Sequence, residues 1–377
     1  MPKSAPTLSD RVAMYGANRF RIGLFGANCS SGRAVTTVPE RWSGNWADNV
    51  KLAELADNSG IDFLLPIGRW KGYGGPTDYQ GATYETVTWA CGLLAKTKRI
   101  SVFATVHAPL LHPVTAAKEF VTADHIGEGR FGLNIVCGWN EDEFDMFGVH
   151  QRDHESRYEY AQEWIDAIRR MWSEVEPFDF NGTYIKLKDV KLNPKPWGGT
   201  RPVMMNAGAS PTGQAFAMRN CDALFVAVDL STVEEAAANI RNIKATAREG
   251  GRVFDIFTVG VVTCRPTSAQ AQEYYEHCIQ TAADWGAVDN ILRKKNITKE
   301  NHSPEDFAKA RHGFAHGMGG VPLVGNPDEV ANAMIALYEG GLDGIGLSFV
   351  NYLDELPFFC QEVLPRLEAK GMRARVS

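Results

Sequence analysis

Eight short apolar runs alternate with amphipathic stretches from one end of the chain to the other, and this alternation restricts the fold more than any other feature. The runs are 20–26, 62–67, 100–106, 130–137, 201–207, 223–228, 257–264 and 344–350. Each is bounded by turn residues and has the length of a strand buried on both faces. Between them lie helix candidates at 46–59, 83–97, 113–127, 156–173, 211–220, 232–249, 267–283 and 327–340, with a last one at 354–370. Several open on a cap or an early proline, as at Pro113, Ser210-Pro211 and Asn326-Pro327-Asp328. Strands alternating with helices make parallel βαβ units, and a count of eight favours an α/β chain closed as a (β/α)8 TIM barrel over an open doubly wound sheet. No boundary suggests a second domain, so residues 1–377 read as one barrel domain, with 1–18 as an N-terminal extension.

Three stretches exceed a plain barrel: 68–85 after strand two, 139–156 after strand four, and 283–320 after strand seven. All follow strand C-terminal ends, the face where such barrels keep their active sites. The segment 178–192 alternates around Asn181-Gly182 and reads as a hairpin.

Charge and motifs narrow the function. A net charge of −6 with interspersed signs argues against nucleic acid and anionic membranes as partners. The N-terminus has no apolar signal core and no run approaches a membrane span, which points to the cytoplasm. The seven cysteines include no C-x-x-C pair, and His150 and His154 fall in a glycine- and acid-rich loop, so no metal site is expected. Neither a G-x-G-x-x-G nor a P-loop spacing occurs in a suitable place, and "GASPTG" (208–213) misses the nucleophile elbow by one residue.

Within 130–139, "RFGLNIVCGW", Asn134 is a polar residue in an otherwise apolar strand. It is either an amide that ties down neighbouring backbone or one aimed at a ligand inside a barrel. "NAGAS" (206–210) turns from a strand into a helix N-terminus, which with the Ser210 hydroxyl makes a phosphate cradle or an ordinary N-cap. Arg157 and Tyr158 open a helix on the same face, and His107 ends strand three.

The series "GEGRFGLNIVCGWNEDEFDMFG", "RYEYAQEWIDAIRRMW", "FNGTYIKLKDVKLNPKPW", "RPVMMNAGASPTGQAFA" and "LVGNPDEVANAM" resembles the bacterial-luciferase-like flavin monooxygenases over roughly 20–370. The nearest subgroup is the pyrimidine (uracil) monooxygenases, to which "DFLLPIGRWKGYGG" and "FATV" are similar. The resemblance implies FMN used as FMNH2, O2 as cosubstrate, NAD(P)H supplied through a separate flavin reductase, and a homo-oligomer, dimer or tetramer. It implies cofactor contacts at Gly68, Arg69, Asn134, Glu143, Arg157, Tyr158 and Ser210, with Thr105 and Asn134 holding O2 as the catalytic pair. Trp70, His107 and Trp139 are the candidate substrate contacts. The implied reaction is oxidative ring opening of a uracil-like cyclic amide through a flavin peroxide, a step of pyrimidine degradation.

The alternatives are an FMNH2-dependent sulfone or alkanesulfonate monooxygenase, a deazaflavin-dependent reductase, and a non-enzymatic flavin-binding protein. A sulfonate enzyme needs several converging Arg and His, for which the sequence offers chiefly Arg69 and His107. Two departures from the pyrimidine pattern leave the substrate open: the Gly68-Arg69 pair, and the loop 27–46 after strand one.

Overall fold

Burial on both faces is what the apolar runs demand, and the computed structural model delivers it. It describes residues 11–375 apart from 229, 231 and 232, so the first ten residues of the expected extension and the first of the helix 232–249 lie outside the described residues. The strands are β1 (Arg21–Phe25), β2 (Phe63–Leu65), β3 (Ser101–His107), β4 (Phe131–Val136), β5 (Phe178–Asn181), β6 (Lys186–Val190), β7 (Val203–Asn206), β8 (Ala223–Phe225), β9 (Asp255–Cys264), β10 (Val321–Gly325) and β11 (Gly344–Ser348). The helices are α1 (Trp46–Asn58), α2 (Thr86–Leu94), α3 (Pro113–Ile126), α4 (Glu141–Met146), α5 (His154–Ser173), α6 (Pro211–Asn220), α7 (Val233–Glu249), α8 (Ser268–Glu276), α9 (Trp285–Lys294), α10 (Pro304–Ala315), α11 (Pro327–Glu339), α12 (Tyr352–Glu362) and α13 (Leu364–Ala369).

Eight strands pair in parallel in the order β1-β2-β3-β4-β7-β8-β9-β11, and β11 pairs back onto β1 to close the expected barrel. Alternation along β3 sorts the side chains. Val102, Ala104 and Val106 face the helices, whereas Phe103 joins Phe63, Leu65, Met205, Phe225 and Phe257 inside the barrel. The interior rings meet edge to face, Phe63 lying 5.8 Å from Phe103 and 5.7 Å from Phe257. Gly132 makes room for them, since a Cβ there would stand 2.4 Å from the Phe103 ring. The N-terminal end of the barrel is stopped by Val12 and Met14, which join the same interior cluster, and Arg21 at the start of β1 donates to the Met14 carbonyl.

The structure revises several boundaries. β10 is a ninth parallel strand on the outer part of β9, where the sequence suggested only a loop end; Pro322 and a length of five residues hid it. The insertion 283–320 is mostly helical, supplying α9 and α10. Expected helix 267–283 ends in a π-helical turn at His277–Thr281, and 354–370 breaks at Val363, ahead of Pro365. The hairpin β5–β6 forms, but Asn181 pairs with Lys186, so four residues rather than an Asn-Gly pair connect the strands.

Loops after β1, β2 and β9 pack on one another with a core of their own, including Val35, Tyr73, Tyr79, Val288, Ile291 and Leu292. This second core caps the C-terminal mouth of the barrel. Among the described residues, no helix is long and apolar enough to cross a membrane.

Candidate active site

The period of two that puts Phe103 inside the barrel also puts Thr105 there, one layer nearer the mouth. Thr105 and Asn134 are register partners on β3 and β4, and both are buried. The Thr105 hydroxyl donates to the Pro66 carbonyl at 2.6 Å and accepts from Asn134 Nδ2 at 3.2 Å. A hydroxyl has one proton, so Thr105 has none left for a ligand, and this bond fixes which amide atom is the nitrogen. Asn134 Oδ1 is buried without a partner. Thr105 therefore aims the amide, and Asn134 presents the free polar atoms.

Above this pair, Arg69 and Glu143 are joined at 2.8 Å, and the same Glu143 oxygen accepts from the Trp70 backbone N–H at 2.9 Å. The other oxygen, Oε2, has no hydrogen-bond partner and stands 3.9 Å from His107 Nε2. Burial pushes the His107 imidazole down to about 4, with Glu143 opposing and Arg69 assisting, so it is neutral at pH 7. Gly68 permits this approach, because a Cβ there would lie 3.0 Å from both the His107 ring and the Thr105 carbonyl. A cavity of about 320 Å³ is lined by Gly68, Arg69, Trp70, Thr105, His107 and Phe147 among others.

A second cavity of about 400 Å³ lies over β4 and the β7–α6 turn, bounded by Gly138, Trp139, Arg157, Tyr158, Gly208 and Ser210 among others. Arg69 links the two, since its guanidinium stacks over the Trp139 ring at 5.4 Å. Ser210 caps α6 by accepting from the Gly213 N–H at 3.1 Å, which turns its own proton towards the Tyr158 hydroxyl. Asn206 accepts from the Gly208 N–H at 2.7 Å and donates to the Ile135 carbonyl at 2.7 Å, so the turn is locked onto β4. Arg157 spends Nη1 on the Gly138 carbonyl, and its buried Nε has no partner.

Three further groups reach the same mouth. Arg33, from the loop after β1, is 8% exposed and lies over the Phe25 ring at 4.7 Å. Lys295, just beyond α9, holds its ammonium 5.0 Å from the Trp139 ring centre and lines the second cavity. Buried His316 has an unpartnered Nε2, and burial, with Arg33 beside it, pushes its imidazole down to about 3.

Residues 20–344 match the luciferase-like monooxygenase family. The chain belongs to that family. It is 30% identical to the FMNH2-dependent dimethylsulfone monooxygenase of Pseudomonas fluorescens (strain Pf0-1), a similarity covering 93% of this chain and 96% of the relative. It is 27% identical to the pyrimidine monooxygenase RutA of Allorhizobium ampelinum, over 93% of this chain and 97% of that one. The crystal structure of DmoA from Hyphomicrobium sulfonivorans shares the fold with a TM-score of 0.85, at 20% identity over 96% of this chain and 90% of that chain.

In this luciferase-like monooxygenase, the eleven residues singled out from sequence all stand at the barrel mouth, nine of them lining two neighbouring cavities. Thr105, Gly68, Arg69, Trp70 and His107 border the first; Trp139, Arg157, Tyr158 and Ser210 border the second. Glu143 bonds to Arg69, and Asn134 lies against Thr105. His154 is exposed at the rim of the second cavity and His150 is exposed outright. Among the described residues, no three metal-binding side chains converge. Arg33, Lys295 and His316 stand beside Arg69 and His107 as cationic and imidazole groups that the sequence reading did not single out. Lys295 ends the run "RKK", which reads as a solvated helix terminus, and nothing local marks Arg33 as buried.

Proposed function

We propose that this chain is a monooxygenase that uses reduced FMN and O2, taking FMNH2 from a separate NAD(P)H-dependent reductase. The observation that carries the reading is Asn134, whose buried amide oxygen lacks a partner at the mouth of a barrel with free polar atoms on either side of it. A buried acceptor left unmade is unfavourable by about 1–3 kcal/mol, so its partner belongs to a ligand. Glu143 Oε2 and Arg157 Nε are unpartnered in the same way, and a Cβ at Gly208 would lie 2.8 Å from Gly213 Cα, inside the cradle. These residues fit FMN.

Ser210, Tyr158, Arg157 and the first N–H groups of α6 would hold the phosphate. Glu143 and Asn134 would meet the polar edge of the ring system, with Gly68 and Arg69 beside it. Reduced FMN supplies the electrons that cleave O2, one oxygen atom going to the substrate and the other leaving as water. The chain contributes orientation and dryness: Asn134, aimed by Thr105, holds the reacting oxygen with its spare N–H, while the neutral His107 and the cap over the mouth limit proton leakage and water entry.

The substrate we propose is compact and electrophilic, a uracil-like cyclic amide being the reading that the pyrimidine monooxygenase relatives support. A sulfone or sulfonate is the second reading, favoured by the dimethylsulfone monooxygenase relative and by the buried, carboxylate-free Arg33 and the cavity-lining Lys295. Anaerobic protein with FMNH2, mixed with isotope-labelled O2 and uracil, dimethyl sulfone or methanesulfonate, should yield a product carrying one labelled atom. Flavin oxidation at the protein-free rate, with no FMNH2 bound, would remove the proposal.

A further inference from the structure

Three arginines are buried among the described residues, and they are not equivalent. Arg69 holds Glu143 and Arg373 holds Asp62. Arg33 holds no carboxylate: among the described residues its guanidinium makes one hydrogen bond, from Nη2 to the Gly317 carbonyl at 2.6 Å, and its Nε is buried without a partner. The phenols of Tyr73, Tyr79 and Tyr352 stand around it, and burial keeps them protonated. Buried charges in proteins are ordinarily paired, because removing an ion from water without a counter-charge is strongly unfavourable. An unpaired guanidinium over Phe25, at the end of an interior strand, is a site prepared for an anion.

Two neighbours have the same character. Lys295 forms no ion pair among the described residues; its ammonium rests on the rings of Trp139 and Phe314, at 5.0 and 5.9 Å. His316 presents the unpartnered Nε2, and as a neutral ring it can serve as a donor. Glu143, the carboxylate of this cluster, is held by Arg69 through Oε1, and its Oε2 stands nearest His107.

We propose that Arg33, Lys295 and His316 form a subsite for an oxyanion carried by the substrate, a carboxylate or a sulfonate, beside its reacting centre. This rests on the monooxygenase reading and narrows it: within either proposed class, cyclic amide or organosulfur compound, the preferred substrate carries an anionic group that uracil and dimethyl sulfone lack. Arg33 binds the oxyanion through Nε and the neighbouring Nη, Lys295 neutralises it from the rim, and His316 donates the remaining hydrogen bond.

Calorimetric titration under anaerobic conditions tests this without turnover. Protein loaded with reduced FMN is titrated with two matched pairs, orotate against uracil and methanesulfonate against dimethyl sulfone. One anion should bind at least about tenfold more tightly than its neutral partner, and Arg33→Met and Lys295→Met should each weaken it by about tenfold or more. Orotate or methanesulfonate as the binder tells carboxylate from sulfonate. Melting curves establish that Arg33→Met is folded, and Lys295→Met, at the rim, serves should it not be. Neither anion outbinding its neutral partner, or both variants binding it as the wild type does, overturns the subsite. So does a loss confined to FMN affinity in Arg33→Met, which would give Arg33 to the cofactor. The anion titrations are repeated without flavin, so failure of the wild type to bind FMNH2 counts against the monooxygenase reading and not against the subsite.

Discussion

Asn134 was ambiguous as a letter in an apolar run, a structural tie or a ligand contact, and its neighbours favour the ligand contact we propose. A tie would have used both ends of the amide, yet only Nδ2 is bonded within the protein. Asn134→Leu keeps volume and removes an unsatisfied group, so the melting temperature should stay level or rise. Product formed per FMNH2 oxidised should fall by about 10²–10³, the scale for removing one aligned donor, with the deficit appearing as free hydrogen peroxide. Thr105→Val acts through Asn134 by releasing its amide, and should lower coupling by a smaller factor, about tenfold. Melting temperature, product and hydrogen peroxide measured on the same samples decide it; unchanged coupling in Asn134→Leu would return the amide to a structural role.

At the scale of elements, the β7–α6 turn is built so tightly that its chemistry and its packing coincide. Gly208→Ala would bring a methyl within 2.8 Å of both Asn206 Oδ1 and Gly213 Cα and within 3.0 Å of the Tyr158 hydroxyl. Reduced FMN should then bind more weakly by about tenfold or more, as the turn opens and the donors lose alignment. Ser210→Ala combined with Arg157→Ala should cost about 1.5–3 kcal/mol of binding for each charged hydrogen bond removed. Equilibrium dialysis that finds either variant binding like the wild type would move the phosphate elsewhere. Elements of this kind were legible because they carry local signals: an N-cap serine, a proline at the first turn, small residues in the turn. Where the signal is global it was missed. Val321–Gly325 is a strand only because β9 runs ten residues and offers its outer half as a template. Phe63–Leu65 is a shorter strand than the run 62–67 suggested, since Pro66 and Ile67 already turn towards Asn28 and Thr105.

The whole molecule keeps two imidazoles neutral inside the mouth, and this makes its stability depend on pH. His107 and His316 are pushed from 6.5 down to about 4 and about 3, chiefly by burial. A lowered folded-state value favours folding at pH above the unfolded value, and that contribution disappears as pH falls through the folded value. For His107, a drop from 6.5 to about 4 corresponds to about 3 kcal/mol, present above pH 6.5 and lost towards pH 4. Asp255 on the opposite face works the other way: burial raises its carboxyl to about 6, a contribution complete below 3.8 and lost as pH rises through 6. Two rings outweigh one carboxyl, so the melting temperature should fall between pH 6.5 and 4. His107→Gln should make that fall shallower in calorimetry, and an identical slope would mean that the ring takes up its proton inside the fold. None of this could be read from residue order. Arg33 and Gly317, which follows His316, are 284 positions apart and are hydrogen-bonded only because the loops after β1 and β9 share one core.

Trp139, held between Arg69 and Lys295 at the edge of the second cavity, has an optical consequence. An indole whose excited state is sensed by two cations shifts its emission when either is drawn away, and a bound flavin would absorb that emission. The chain thus carries a built-in gauge of what enters its mouth. Trp139→Phe should reduce the response to ligand, leaving the part contributed by Trp70 at the first cavity and the steady emission of the more distant of its nine tryptophans.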